Sequence, residues 1–229
     1  MKTKGLWIVT LIPTIITAIV VQFLPDKVPM HYNIHGEIDR WGSKYENFLF
    51  PGMTILFTVF WLLLIWYFYK KSIREDLDEK LREDAASNTM ILGYMAIAIT
   101  VLFGIVQCFI LLFAYANSKS SISTLHINIY TVTNILVGLL MIVFGILMPK
   151  TKRNAIVGVR TIWSMKNENT WAYSNKYGGI IFMITGLLII LVSAFVQNFA
   201  STIIMLALTI CAAIVIVFIS YWTYKKYPE

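Results

Sequence analysis

The sequence predicts an all-α, polytopic integral membrane bundle of six transmembrane helices, and three observations carry that prediction. The 229 residues are 58% hydrophobic and only 14% charged, with mean hydropathy +0.71. A soluble domain carries roughly 25% charged residues, about twice this fraction. The apolar residues are blocked into six runs of about twenty, the length a helix needs to cross a hydrocarbon core of ~30 Å. Lys and Arg are distributed unevenly among the polar segments between those runs. Together these exclude an ordinary water-soluble globule and a disordered chain. Cys108 and Cys211 both lie inside apolar runs, so no disulfide framework is indicated.

The first run, about Leu6–Leu24, follows Lys2 and Lys4. Its apolar part is longer than a secretory h-region and no small-x-small motif precedes Leu24-Pro25, so it reads as an uncleaved first span, kinked at Pro13. Runs at about Phe48–Tyr69, Met90–Ala116 and Ile127–Met148 give the next three spans. Gly178–Val196 and Phe199–Trp222 are almost continuous. As one helix of about 45 residues they would extend almost 70 Å, so they must fold back, with Gln197-Asn198 as the turn.

At mid-depth the runs hold no Asp, Glu, Lys, Arg or His. Ion-coupled transporters mark their pathway with such groups, which argues against that class. The polar content is Thr10, Thr14, Thr17, Thr100, Gln107, Asn134 and Thr185, expected to hydrogen-bond between helices. Gly138 and Gly145, and Gly179 and Gly186, would allow helices to approach closely.

With a cytoplasmic N-terminus, fifteen of the nineteen Lys and Arg residues fall in inner segments and four in outer loops. The positive-inside rule therefore predicts a multi-pass protein of the cell membrane with both termini cytoplasmic. The net charge of +7 follows from that topology and calls for no nucleic acid.

The chain reads as a single membrane domain, 1–229, with three polar segments. The inner segment 70–89 lacks Gly and Pro and carries acid-first i,i+4 pairs, Asp76 with Lys80 and Asp78 with Arg82, which predicts a helical extension of span two. The outer loop 25–47 is extended at Pro25 and Pro29 and turned at Gly36 and Gly42. It holds His31, His35, Glu37 and Asp39, with Trp41 placed to sit at headgroup level. His-x3-His has metal-ligating meaning on a helix, which Pro29 and Gly36 oppose. No metal or other cofactor is expected, and His31 and His35 are the residues that could hold one. Ordered polar contacts of Asp39, Arg40 and Lys44 over the bundle are the plainer reading. The inner loop 149–177 is the most basic stretch, with six Lys and Arg against Glu168. Trp163 and Trp171, eight apart, would share a helical face at the interface. Asn154, Gly158, Arg160, Thr161, Asn167 and Asn175 give it more directional polar groups than a linker needs, and the Arg160 fork suits a carboxylate or phosphate.

Two stretches carry a resemblance. LPDKVPMHYNIHGEIDRWGSK, through Leu24, Pro25, Pro29, His31, Gly36, Asp39, Trp41 and Lys44, resembles a small bacterial domain of unknown function. RNAIVGVRTIWSMKNENTWAYSNKYGG is similar to the bacterial sporulation-delaying-protein (Sdp) toxin immunity family of multi-span membrane proteins. The matching residues there are Arg153, Asn154, Gly158, Arg160, Thr161, Trp163, Asn167, Glu168, Trp171 and Gly179. Ile162 departs from the family pattern, where a proline is expected, and so does His35, where Asn or Asp is usual. The resemblance covers about fifty residues directly, in the order found in that family.

The resemblance implies a membrane immunity protein, without enzymatic activity, giving resistance to a secreted antimicrobial peptide toxin. It further implies signal transduction by capture of a cytoplasmic transcriptional repressor in some members. Its partners would be the lipid bilayer, an extracellular peptide toxin and that repressor. The outer residues His31, Gly36, Asp39 and Lys44 would meet the toxin. The inner residues Asn154, Gly158, Arg160, Thr161, Trp163 and Trp171 would report or stabilise the state. A permease for small molecules or lipids without ion coupling, and a metal-binding membrane enzyme, are the alternatives from other classes.

Overall fold

Apolar runs in lipid become helices because every backbone N–H and C=O must find its partner within the segment. The computed structural model describes residues 3–33, 37–118, 129–154 and 156–227. Its elements are α1 (Thr3–Val20), β1 (Lys27–Tyr32), β2 (Ile38–Ser43), α2 (Leu49–Ser72), α3 (Glu79–Ser118), α4 (Ile129–Leu147), α5 (Glu168–Phe195) and α6 (Phe199–Lys226). Short 3-10 turns occupy 21–23, 44–48 and 148–150. All six helices are long and apolar enough to cross a membrane, giving the expected all-α polytopic bundle. The start of the fourth expected span, residues 127–128, lies outside the described residues.

Helices α1, α2 and α3 pack as one group and α4, α5 and α6 as another, and the groups meet along α3 and α4. Outward-facing side chains such as Ile8, Leu56 and Phe218 are exposed, since lipid takes the place of a core around them. Inside, polar side chains link helices across long sequence distances. Thr10 Oγ1 lies 2.7 Å from Thr58 Oγ1, Gln107 Nε2 donates to Thr17 Oγ1 at 2.9 Å, and Asn134 Nδ2 donates to Ser201 Oγ at 2.8 Å. Thr14 instead donates to its own helix, at the Thr10 carbonyl. The two glycine pairs join α4 to α5 in antiparallel register, Gly138 against Gly186 and Gly145 against Gly179. A Cβ on Gly138 would lie 2.6 Å from the Gly186 carbonyl oxygen, and one on Gly145 2.5 Å from that of Gly179.

The extended outer loop forms an antiparallel hairpin, β1 with β2, pairing Lys27 with Ser43 and Pro29 with Trp41, with an irregularity at Met30 and His31. Pro29 is tolerated because a two-stranded ribbon has only edges. Val28 seals the hairpin onto Val21, Leu24, Leu111 and Ala114 at the ends of α1 and α3.

Segment 70–89 extends α3, and not α2 as the sequence suggested. Helix α2 stops at Ser72, the chain turns over 73–78, and α3 begins at Glu79. Asp78 and Glu79 stand at the N-terminus of a helix, where the macrodipole favours acids, so the acid-first pattern marks a start. The expected pairs do not form. Arg74 takes Asp76 in the turn and holds its carboxyl below the usual aspartate range, while Lys80 reaches Glu168 at 3.8 Å. Segment 149–177 likewise divides, because α5 starts at Glu168. Asn167 caps it, accepting from Thr170 N–H at 2.9 Å while its own N–H donates to Thr170 Oγ1, and Glu168 occupies the first turn.

Candidate functional site

Alternating helices place the polar segments at two opposite ends. The hairpin and the α5–α6 connection share one end; the 73–78 turn and the 151–167 loop share the other. Tyr130 Oη donates to the Asn33 carbonyl at the hairpin end, and Asn154 Nδ2 to Asn88 Oδ1 at the loop end.

The 151–167 loop is built around neutral buried groups. Asn154 Oδ1 accepts from Ile156 and Val157 N–H at 2.7 and 2.8 Å, and its Nδ2 donates back to the Val157 carbonyl at 3.0 Å, which folds the chain on itself. Gly158 follows with φ +118°, in the left-handed region. A Cβ there would lie 2.5 Å from Asn175 Oδ1 and 2.9 Å from the Trp171 ring. Asn175, fully buried on α5, accepts from Val159 N–H at 2.8 Å and donates to the Trp171 carbonyl at 3.0 Å. The Trp171 indole Nε1–H donates to the Thr151 carbonyl at 2.8 Å.

Next, Thr161 and Ser164 exchange hydrogen bonds. Thr161 N–H donates to Ser164 Oγ at 2.9 Å and Ser164 N–H to Thr161 Oγ1 at 3.0 Å, while Ser164 Oγ donates to the Val159 carbonyl at 2.6 Å. Thr161 also hydrogen-bonds Ser220 on α6. Arg153 closes the loop by donating to the Met165 and Lys166 carbonyls at 3.2 and 3.1 Å, and pairs with Glu168 at 3.3 Å. Such a set fixes backbone without acid–base chemistry. It leaves Arg160 exposed, with no hydrogen bond or ion pair among the described residues, beside Ile162, which is 75% exposed. Trp163 lies edge-on to Tyr221 at 5.1 Å.

The structure thus brings Asn154, Gly158, Thr161 and Trp171 into one network and sets Arg160 on its outer face. Trp163 and Trp171 do not share a helical face: α5 begins after Trp163, and Trp171 is buried in protein instead of standing at the interface. Ser164, Thr170, Ser174, Ser220 and Thr223 were not singled out by the sequence, yet each is fully buried and hydrogen-bonded. Their signal is faint: Ser and Thr three or four residues apart at the polar ends of the last two apolar runs.

At the hairpin end, His31 Nδ1 lies 2.6 Å from Asp39 Oδ1, with both side chains substantially exposed. Arg40 pairs with Glu46 at 2.9 Å. Lys44 is nearly buried, pairing with Asp26 at 3.1 Å and donating to the Leu24 carbonyl at 3.4 Å. These are contacts of the ordered polar cap that the sequence suggested. Ser43 and Glu46 form a capping box, and Gly42 leaves room for it, since a Cβ there would meet the Glu46 carboxylate. His35 and Gly36 lie outside the described residues. Among the described residues no three His, Cys, Asp or Glu side chains come together as a metal would require.

Comparison with known proteins matches these two ends separately. Residues 8–55 match a domain of unknown function (DUF1648), and residues 150–222 match the SdpI/YfhL protein family. Over nearly the whole length the chain is 26% identical to Immunity protein SdpI of Bacillus subtilis (strain 168), across 229 residues that cover 99% of this chain and 98% of that protein. No solved structure matches. The hairpin-bearing first module is similar to that domain of unknown function, the braced loop with α5 and α6 is similar to the SdpI/YfhL protein family, and the alignment to Immunity protein SdpI runs through both.

Proposed function

We propose that this protein protects its cell against a secreted peptide toxin from within the cell membrane, with both termini in the cytoplasm. The end-to-end similarity to a protein named for immunity carries the reading. The charge bias of the polar segments supports the orientation, which puts the hairpin outside and the 151–167 loop inside. The exposed His31–Asp39 pair then belongs to the surface a toxin meets, and Lys44 holds the hairpin beneath it. Arg160, Ile162 and Trp163 form the surface facing the cytoplasm, suited to an anionic, partly apolar partner, and capture of a repressor is the use we assign it. The activity is binding and not catalysis, because the braced loop offers hydroxyls, amides and one free guanidinium. It needs no nucleic acid.

The test is expression in a toxin-sensitive strain. Survival against a peptide that kills the parent supports the reading; unchanged killing by every candidate peptide, with the protein correctly inserted, overturns it. His31→Ala is expected to abolish protection at unchanged membrane abundance.

A further inference from the structure

Between α1, α2 and α3, towards the 73–78 turn, lies a cavity of about 290 Å³. Buried Leu6 and Ile65 line its depth, and exposed Tyr69, Met90 and Tyr94 line its rim, so it opens sideways between helices. Gly93 leaves its wall hollow: a Cβ there would meet nothing within 4 Å. At roughly 30 Å³ for a water-sized group, the space takes on the order of ten methylene-sized groups, a large part of an acyl chain.

One turn before the α3 wall stands Arg82, four residues ahead of Ala86, which lines the cavity. Positions 82, 86, 90, 93 and 97 continue one stripe of α3. Arg82 is half-buried, its Nε is buried with no hydrogen-bond partner, and it forms no ion pair among the described residues. Lys70 and Lys71 follow Tyr69 at the end of α2 and add positive charge on the other side of the mouth. A guanidinium with an unmet N–H, at the polar edge of an apolar groove open to lipid, calls for an anion that brings its own hydrocarbon.

We propose that this groove binds an anionic phospholipid of the adjoining leaflet, with Arg82 donating to the phosphate and one acyl chain lying past Gly93. The full-length protein is purified in detergent and incubated with mixed micelles of phosphatidylglycerol or phosphatidylcholine of matched chains, and retained lipid is counted by native mass spectrometry. Phosphatidylglycerol is expected to be retained preferentially. Arg82→Gln should lower its retention about five-fold, the worth of one basic group at an anionic surface. Gly93→Leu should lower it with Arg82 intact, by filling the groove. Lys27→Gln, an exposed charge on the hairpin at the opposite end of the bundle, should change nothing. Equal retention of the two lipids overturns the proposal, as does Arg82→Gln behaving like Lys27→Gln or full retention in Gly93→Leu. Displacement by free glycerol phosphate would assign the charge to a soluble phosphate and also overturn it.

Discussion

Gly158 concentrates the loop's geometry in one residue. Its φ of +118° and the contacts a Cβ would make leave no room for a side chain. Gly158→Ala is expected to cost about 1–3 kcal/mol of stability, read as a lowered midpoint of thermal unfolding in detergent. Asn175→Ala should cost a similar amount, about 1–3 kcal/mol, by leaving the Val159 N–H buried and unpaired. If that variant melts like the parent, Asn175 does not hold the loop. Arg160→Lys, on the exposed face, should leave stability within about 0.5 kcal/mol and impair function; silence in both assays would make it a topology charge only. Gly158, Asn154 and Asn175 were legible in the sequence because glycine and asparagine are conspicuous in a basic loop. Ser164 and Ser220 were not, because a hydroxyl reveals its role only through its partner, and the Thr161–Ser220 contact joins residues 59 apart.

Among the elements, the α4–α5 seam is the tightest. Gly138→Leu or Gly186→Val must push backbone from backbone, and each is expected to cost about 1–3 kcal/mol or more. Gly52→Ala, where a Cβ meets nothing, should be neutral or stabilising by up to about 1 kcal/mol. Equal tolerance at both sites would show that the helices are not held by close approach. The 73–78 turn carries a pH dependence. Asp76 is held below its usual value by Arg74, so the pair contributes above the unfolded aspartate value near pH 4 and is lost as pH falls through the lowered one. Asp76→Asn should therefore weaken the turn at neutral pH, seen as faster amide exchange at Leu77, and make no difference in strong acid. The six spans were legible because hydropathy over twenty residues is a strong signal. The first ten residues of α5 were not: they are rich in Asn, Tyr and Lys, and Asn167 pairs with Thr170 in its cap where a Glu or Gln at that position would have announced a helix. The hairpin was hidden by Pro29 and by strands of six residues each.

For the whole molecule, the two ends define the experiment on topology. Single cysteines at Asp39 and Arg160, in a chain without Cys108 and Cys211, should react with an impermeant maleimide from opposite faces of the membrane. Labelling of both from the medium of intact cells would remove the division between an outer and an inner surface. The halves are joined along α3 and α4, by Tyr130 with Asn33 at one end and by Asn88 with Asn154 at the other. The sequence revealed the spans but not this grouping, which rests on side chains meeting across tens of residues. The connection between α5 and α6 has a consequence for biogenesis. Only Val196, Gln197 and Asn198 separate them, and Asn198 is committed to starting α6 by accepting from Ala200 N–H at 2.9 Å. So short a tether cannot reach back across a bilayer, so the last two helices must leave the translocon and partition into lipid as one unit.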